Sequence, residues 1–501
     1  MPSGARQAPG RGAGAAREAI ERFLRLSREP ALLEPGEELL PLTGDNYRLE
    51  VRNSRVTLQA WDRTRNLVRR IIGVEEEAAG RLELAIERFA RKPGRLFLID
   101  RARPAAQTFE RRGARMVFRE RFRRLLARAV PDWKPVELST EADLENSLSP
   151  VFPRALLRRG AARCAAIGAG PECQDPSAVL SFGLIWVDYL RRRERDTRAI
   201  EGLLLFLPDG AARATSLRSR YLDPAAVSLR IMTYSPEDFV AEVDPQDIGN
   251  MDTSLEVCHE PTFEGDNLSG LLAIPGVEML PRANGSISLR VRGLEFARAD
   301  RFGIRFGLDG NLQREAEGFA GAERLARELA QWRSPAASNR EHPLYRRQPE
   351  AWLESQVRAG IDQIEASLLP APVYGQVLAF AGGERGVMDL LAVDRHGRLA
   401  VLELKTSADL HLPLQALDYW MRVDWHLKRA EFTAHGYFPG IALRPERPRL
   451  FLISPALEFH PTTEIVLGYF SPAVDVVRIG LAVEWRKKLE VMFRLQGAER
   501  P

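Results

Sequence analysis

Three cysteines in 501 residues, Cys164, Cys173 and Cys258, are too few and too scattered for a disulfide framework or a pair of CxxC zinc knuckles. That scarcity points to a reducing compartment, and a cytoplasmic location is the expectation. Histidine is sparse as well. His411 and His426 stand too far apart for a metal pair, His259 follows Cys258 without a partner cluster, and His396 falls in a turn as a solvated residue. No apolar run approaches the ~20 residues that cross a bilayer, so a membrane partner is excluded. GxGxxG, P-loop and HExxH patterns are all missing. A net charge of only +4 excludes a strongly basic nucleic-acid coat, so any polyanion site must come from local clusters of arginine.

What is there is a composition of 45% apolar and 28% charged residues, that of a globular α/β protein too long for one core. The opening MPSGARQAPGRGAGAAR reads as a disordered tail over residues 1–17, a transit peptide being the alternative. An N-terminal α/β domain is expected over 18–130, with a helix in REAIERFLRLSREPALL, a hairpin in YRLEVRNSRVTLQAW turning at Asn-Ser, a helix in LELAIERFARK and a strand in GRLFLID. Behind them, RARPAAQTFERRGARMVFRERFRRLLAR reads as a solvated amphipathic helix or a phosphate-binding face. A second α/β domain covers 131–245, with a helix in TEADLENSL and the apolar runs AVLSFGLIWVDYL, GLLLFLP and AVSLRIMTY. Residues 246–340 are β-rich and irregular, then form the helix GFAGAERLARELAQWR and the linker SPAASNREHPLYRRQP. A last domain spans 341–501.

Two stretches echo each other in order and spacing. EADLENSL from Glu141 resembles EAWLESQV from Glu350, LLLFLP at 203–208 resembles RLFLISP at 449–455, and AVSLRIM resembles AVDVVRIG. Either the fold is duplicated, with a first copy that is a degenerate, catalytically empty repeat, or the two are unrelated α/β units.

Chemistry concentrates in GVMDLLAVDRHGRLAVLELKTS, residues 386–407, where three charges interrupt apolar runs at a cost in solvation. A three-residue loop of Arg395, His396 and Gly397, glycine in the left-handed position, sets a hairpin in which Asp394 faces Arg398. Counting back places Asp389 opposite Glu403, and alternation adds Lys405 to their face. Two carboxylates that close repel unless a cation lies between them, and a hard divalent ion, Mg²⁺ before Mn²⁺, is the natural one. Taken singly, each residue is better read as the polar face of a hairpin. Together they sit in runs that are apolar on both faces, where unpaired acids are costly. Upstream, PEAWLESQVRAGIDQIEASL is a helix bearing Glu350 and Glu354 one turn apart; downstream, LPLQALDYWMRVDWHLKRA is a helix that stacks Gln415 and Tyr419, with Trp420 and Trp425 as core residues.

This order of helix glutamate, Asp389, Glu403-Leu404-Lys405 and Gln415-x-x-x-Tyr419 resembles the PD-(D/E)xK nuclease superfamily. Its wording is most similar to the catalytic domain of the mismatch-type endonucleases of archaea and actinobacteria, with a Gln-x-x-x-Tyr pair like that of RecB-type exonuclease domains. The resemblance covers about residues 345–440, and Val387-Met388 stand where the superfamily name has proline. It implies a restriction-endonuclease-like domain with a central mixed sheet flanked by helices, in which Asp389, Glu403, the Leu404 carbonyl and Glu354 hold Mg²⁺ or Mn²⁺. Lys405 would position the attacking water, and Gln415 and Tyr419 would complete the catalytic set. The expected activity is hydrolysis of phosphodiester bonds, with DNA as partner, a role in DNA repair, and N-terminal domains for substrate binding or homodimer formation. The rival expectation is an inactive nucleic-acid-binding scaffold that keeps the nuclease fold.

Overall fold

The computed structural model describes residues 13–499 apart from 36–38, 53–54, 63–65, 79, 88–92, 195–199, 248, 250, 252, 261–267, 283, 309–311, 313–317 and 382–383. Among the described residues the chain forms four sheets and twelve α-helices, a mixed α/β architecture. It divides into two compact units. One holds everything up to Phe182 with Leu190–Ala211 and Met232–Glu242; the other holds Gly183–Tyr189, Ala212–Ile231 and Val243–Pro501.

The first sheet contains β1 (Pro30–Leu33), β2 (Leu40–Pro41), β3 (Tyr47–Arg52), β4 (Arg55–Trp61), β5 (Asn66–Ala78), β6 (Arg81–Glu87) and β7 (Pro93–Asp100), in the order β2-β1-β7-β6-β5-β4-β3. Helix α1 (Ala13–Leu26) buries Ala16, Ala19, Ile20 and Phe23 in the core of this sheet. It therefore starts inside the segment expected to be a tail, whose residues 1–12 lie outside the described ones. The β3–β4 hairpin forms as expected, with Arg52 paired to Arg55, and its Asn53-Ser54 turn is outside the described residues. LELAIERFARK is not a helix: its described part is β6, because Leu82, Leu84 and Ile86 are buried with the period of two that a strand requires.

The second sheet follows α2 (Pro104–Ala129) and contains β8 (Lys134–Ser139), β9 (Arg154–Arg159), β10 (Ala162–Gly168), β11 (Ile200–Pro208), β12 (Ser228–Tyr234) and β13 (Val240–Val243) in sequential order. Helices α3 (Val179–Glu194) and α4 (Arg213–Ser219) connect β10 to β11 and β11 to β12. The arginine-rich segment is α2, whose Phe118, Phe122, Leu125 and Leu126 pack on Ala155, Leu157, Ala166, Leu204 and Phe206. Its arginines are largely committed: Arg121 and Arg124 pair with Asp238, and Arg128 donates to the Asp238 carbonyl at 2.7 Å. TEADLENSL is a turn rather than a helix. The Asp143 carboxylate accepts from the Asn146 backbone and side chain, the local competition by which Asp disfavours helix.

The third sheet, β14 (Val277–Pro281), β15 (Ile287–Val291), β16 (Leu294–Asp300) and β17 (Gly303–Phe306), is antiparallel and packs with α5 (Leu268–Leu272) and α6 (Gly318–Trp332). The segment expected to be a linker is tied down. It forms α7 (Pro343–Arg346) with Leu344 and Tyr345 buried, and buried Arg333 donates to the carbonyls of Arg292, Leu344 and Gln348.

The fourth sheet follows α8 (Pro349–Ala359) and α9 (Ile361–Ile364), one expected helix that breaks at Gly360. It contains β18 (Tyr374–Ala381), β19 (Glu384–Val393), β20 (Leu399–Leu404), β21 (Arg449–Pro455), β22 (Asp475–Leu481) and β23 (Val491–Gln496), again in sequential order. Helices α10 (Leu412–Lys428) and α11 (Glu431–Ala434) connect β20 to β21, and α12 (Thr462–Leu467) connects β21 to β22. Strands β18, β19 and β20 are antiparallel, β20, β21 and β22 parallel, and β23 antiparallel. Trp352, Leu353 and Val357 of α8 bury against Leu390, Leu402, Leu404, Phe451 and Ile453.

The second and fourth sheets share one plan: a helix, two antiparallel pairings, a helical crossover to a parallel strand, and a short helix before the next strand. LLLFLP and RLFLISP occupy the same place in the two plans, as β11 and β21, and the helix before the first antiparallel pair is α2 in one and α8 in the other, while EADLENSL lies outside that plan.

Candidate active site

The loop Asp394-Arg395-His396-Gly397 forms with Gly397 at φ +88°, where a side chain would lie 2.2 Å from the Ala442 carbonyl oxygen. The Asp394 carboxylate caps it by accepting from the backbones of His396 and Arg398. The register is the one expected from the loop: Val393 pairs with Leu399 and Leu390 with Leu402. One step further the ladder opens. There the Asp389 carboxylate, through Oδ2, accepts the Leu404 backbone N–H at 2.8 Å.

Glu403 lies on β20 opposite this point and is 1% exposed, yet its Oε2 has no hydrogen-bond partner. Leu402 and Leu404 on either side point into the α8 core cluster. Lys405 continues the parallel ladder, its backbone donating to Ile453, and its Nζ stands 3.7 Å from both Glu403 and Asp409. From α10, Gln415 Nε2 donates to the Tyr419 hydroxyl at 3.3 Å.

The acids act on one another. Burial, reinforced by the charges of Glu354 and Glu350, pushes the Asp389 carboxyl up to about 7 against the Leu404 N–H and Lys405. Burial and the neighbouring Asp389 drive Glu403 well above the usual carboxylate range, with Lys405 opposing. Tyr419 is pushed up to about 12 by burial and by Glu403. Such displacements mark surroundings that are unfavourable to negative charge.

Asp389, Glu403, Lys405, Gln415 and Tyr419 are thus brought together, with Glu350 and Glu354 near enough to act on Asp389. Glu354 itself is 3% exposed and pairs with Arg358, one turn on, and with Arg290 of β15 at 3.7 Å. Arg358 was within reach of sequence reasoning, since residues four apart on a helix meet. Arg290, Glu278 and Asp409 carry no local signal. Among the described residues no group of three or more His, Cys, Asp or Glu side chains is arranged to hold a metal ion.

The remaining expectations resolve as core or surface. Cys164, Cys173 and Cys258 are free thiols. His426 is buried between Thr253 and Glu431, away from His411 at the start of α10. Trp420 is buried and donates to the Pro448 carbonyl at 2.7 Å, and Trp425 carries the Arg429 guanidinium on its ring. Among the described residues no helix is long and apolar enough to cross a membrane.

The second sheet differs at the corresponding end of its strands. Lys405 N donates to Ile453 at 3.0 Å, and Ala169 N donates to Phe206 at 2.9 Å. With these two strand ends matched, Ala169 stands for Lys405 and Ile167 for Glu403. Arg154, which pairs with Ile167, stands for Asp389. Arg154 is 5% exposed and donates to the Glu141 carbonyl at 2.7 Å. No family model matches the chain, and no curated protein matches it.

Proposed function

We propose that this protein is a metal-dependent nuclease whose C-terminal, restriction-endonuclease-like domain hydrolyses phosphodiester bonds of DNA, and that Asp389, Glu403 and Lys405 carry the reaction. The observation behind this reading is the opened β19–β20 ladder: the half-buried Asp389 carboxylate and the buried Glu403 carboxylate meet there, the latter with an orphaned oxygen, and one lysine cannot neutralise both.

The side chains fit a hard divalent cation. Asp389, Glu403 and the Leu404 carbonyl form an all-oxygen set, suited to Mg²⁺ or Mn²⁺, and Glu354 stands behind them. When bound, such an ion supplies positive charge to a phosphodiester oxygen and acidity to water. The chain's own groups do the rest. The Lys405 ammonium orients the attacking water and offsets charge building on the phosphoryl oxygens. Gln415 and Tyr419 offer an amide and a hydroxyl to those oxygens, and the apolar strands on either side exclude bulk water. The water oxygen bonds to phosphorus as the bond to the leaving oxygen breaks, and the proton that the water gives up to solvent is balanced by the one that the leaving alkoxide takes from solvent.

Labelled single-stranded DNA, double-stranded DNA and RNA, each incubated with Mg²⁺ or Mn²⁺, test the proposal. Cleavage of DNA that disappears in Glu403→Ala is expected. No cleavage of any substrate, or cleavage undiminished in that variant, overturns it.

A further inference from the structure

The third sheet reaches the candidate site at two points that sequence reasoning did not anticipate. The first is backbone packing. β15 turns into β16 through Arg292 and Gly293, both with positive φ, and Gly293 lies so close to α8 that a Cβ there would sit 1.7 Å from the Ala351 carbonyl oxygen. Ala351 is one helical turn before Glu354. The second is a relay of charges. Arg290 Nε donates to Ser288 Oγ at 3.1 Å, and Ser288 donates to Glu295 at 2.7 Å, which fixes the guanidinium. Its Nη1 lies 3.7 Å from Glu354 Oε1, the oxygen that Arg358 also holds. Arg358 in turn stands 3.7 Å from Glu278 of β14, and Glu278 accepts the Gly293 backbone N–H at 2.5 Å. The relay therefore closes on itself. Space for it exists because residue 375 on β18 is glycine: a Cβ there would lie 2.5 Å from the Arg358 guanidinium and 2.7 Å from Glu354 Oε1.

We propose that Arg290 is a positioning residue for the metal site: with Arg358 it fixes the Glu354 carboxylate beside Asp389, which makes the third sheet part of the site instead of a separate substrate module. The inference rests on the nuclease reading. Arg290 and Glu354 are each about 95% buried at the side chain, so the contact is not a surface ion pair that solvent screens away. Carboxylates that orient metal ligands typically lose about 10- to 100-fold in metal affinity when their own partners are removed.

Mn²⁺ binding to the full chain, followed by calorimetry, tests this without relying on turnover. Arg290→Met is expected to weaken Mn²⁺ affinity about tenfold, while Arg290→Lys recovers most of the loss. DNA affinity measured with Ca²⁺ should stay within about twofold of the parent, and the loss of cleavage should fall on kcat with KM kept, as removal of an interaction from the reaction step requires. Unchanged Mn²⁺ affinity in folded Arg290→Met, no advantage of lysine over methionine, or a loss of DNA affinity as large as that of Mn²⁺ overturns the proposal. If Arg290→Met does not fold, Glu278→Gln decides. It loosens Arg358 from the far end of the relay, and a smaller loss of Mn²⁺ affinity supports the inference where no loss overturns it. A parent protein that binds no Mn²⁺ and cuts no DNA defeats the nuclease reading itself, a result distinct from a parent that does both while Arg290→Met binds Mn²⁺ as before.

Discussion

The second and fourth sheets run through the same strand order, yet at one equivalent point each they have opposite chemistry. In the second sheet the pairing of β9 with β10 continues through Arg154 and Ile167, and the arginine donates to the Glu141 carbonyl. In the fourth, the regular pairing of β19 with β20 stops at Leu390 and Leu402, and two acids occupy the gap. Ile167, Arg154 and Glu403 are buried at this end and Asp389 is half-buried, so the contrast is one of chemistry more than of exposure. The second sheet closes this end with one apolar side chain and one arginine, whereas the fourth places two acids there at a cost in solvation.

The comparison can be broken most sharply through activity. Glu403→Gln and Asp389→Asn are expected to lower the cleavage rate by at least about 100-fold, beyond the usual loss for groups that only support a ligand. Ile167→Val in the second sheet should leave the rate within about twofold, since Ile167 carries no group that could take part in the reaction. Steady-state cleavage of a labelled duplex reads both. Equal losses in the two sheets would erase the distinction.

Lys405→Met comes next. The rate should fall roughly 100- to 1000-fold, the scale of an electrostatic group lost from the reaction step, while Mn²⁺ still binds, because the carboxylates remain. Loss of Mn²⁺ binding alongside the rate would make the lysine structural.

Stability against pH offers a third contrast. The Asp389 carboxyl keeps its proton up to about 7 in the folded protein and releases it near 3.8 otherwise. Between those values the folded state holds more protons than the unfolded, so stability falls as pH rises through this window. Metal-free protein should therefore lose several degrees of Tm between pH 5 and 7.5, Mn²⁺ should restore them, and Asp389→Asn should flatten the slope. A Tm that rises over that window contradicts the account.

The smallest effect belongs to the second sheet. Arg154→Met removes a buried donor from the Glu141 and Ser149 carbonyls and should cost about 1–3 kcal/mol in urea unfolding, with cleavage unchanged. A variant as stable as the parent would show that Arg154 is not the structural replacement proposed here.

How much of this could be read before folding follows from where the information sits. The β19–β20 register was legible because Gly397 occupies a left-handed position in a three-residue loop, a local requirement that fixes every later pairing. The echo of β11 in β21 was legible because parallel, doubly buried strands must be apolar throughout. Its first helix was misplaced at EADLENSL, since Asp143 and Asn146 use their side chains to close a turn that looks helical by spacing alone. LELAIERFARK misled for the opposite reason: a short run can satisfy both periods, and the neighbouring strands decided. Arg290 and Glu278 left no trace in the pattern. They approach Glu354 only because Gly293 seats a hairpin on α8, a contact between residues far apart in the chain.

The most direct test of the central claim is a crystal structure of the protein soaked in Mn²⁺, with anomalous scattering locating the ion. The account predicts one peak between Asp389 and the unpartnered Glu403 oxygen, and none beside Arg154 and Ile167. An empty β19–β20 gap at full Mn²⁺ occupancy elsewhere, or a peak in the second sheet, would contradict it.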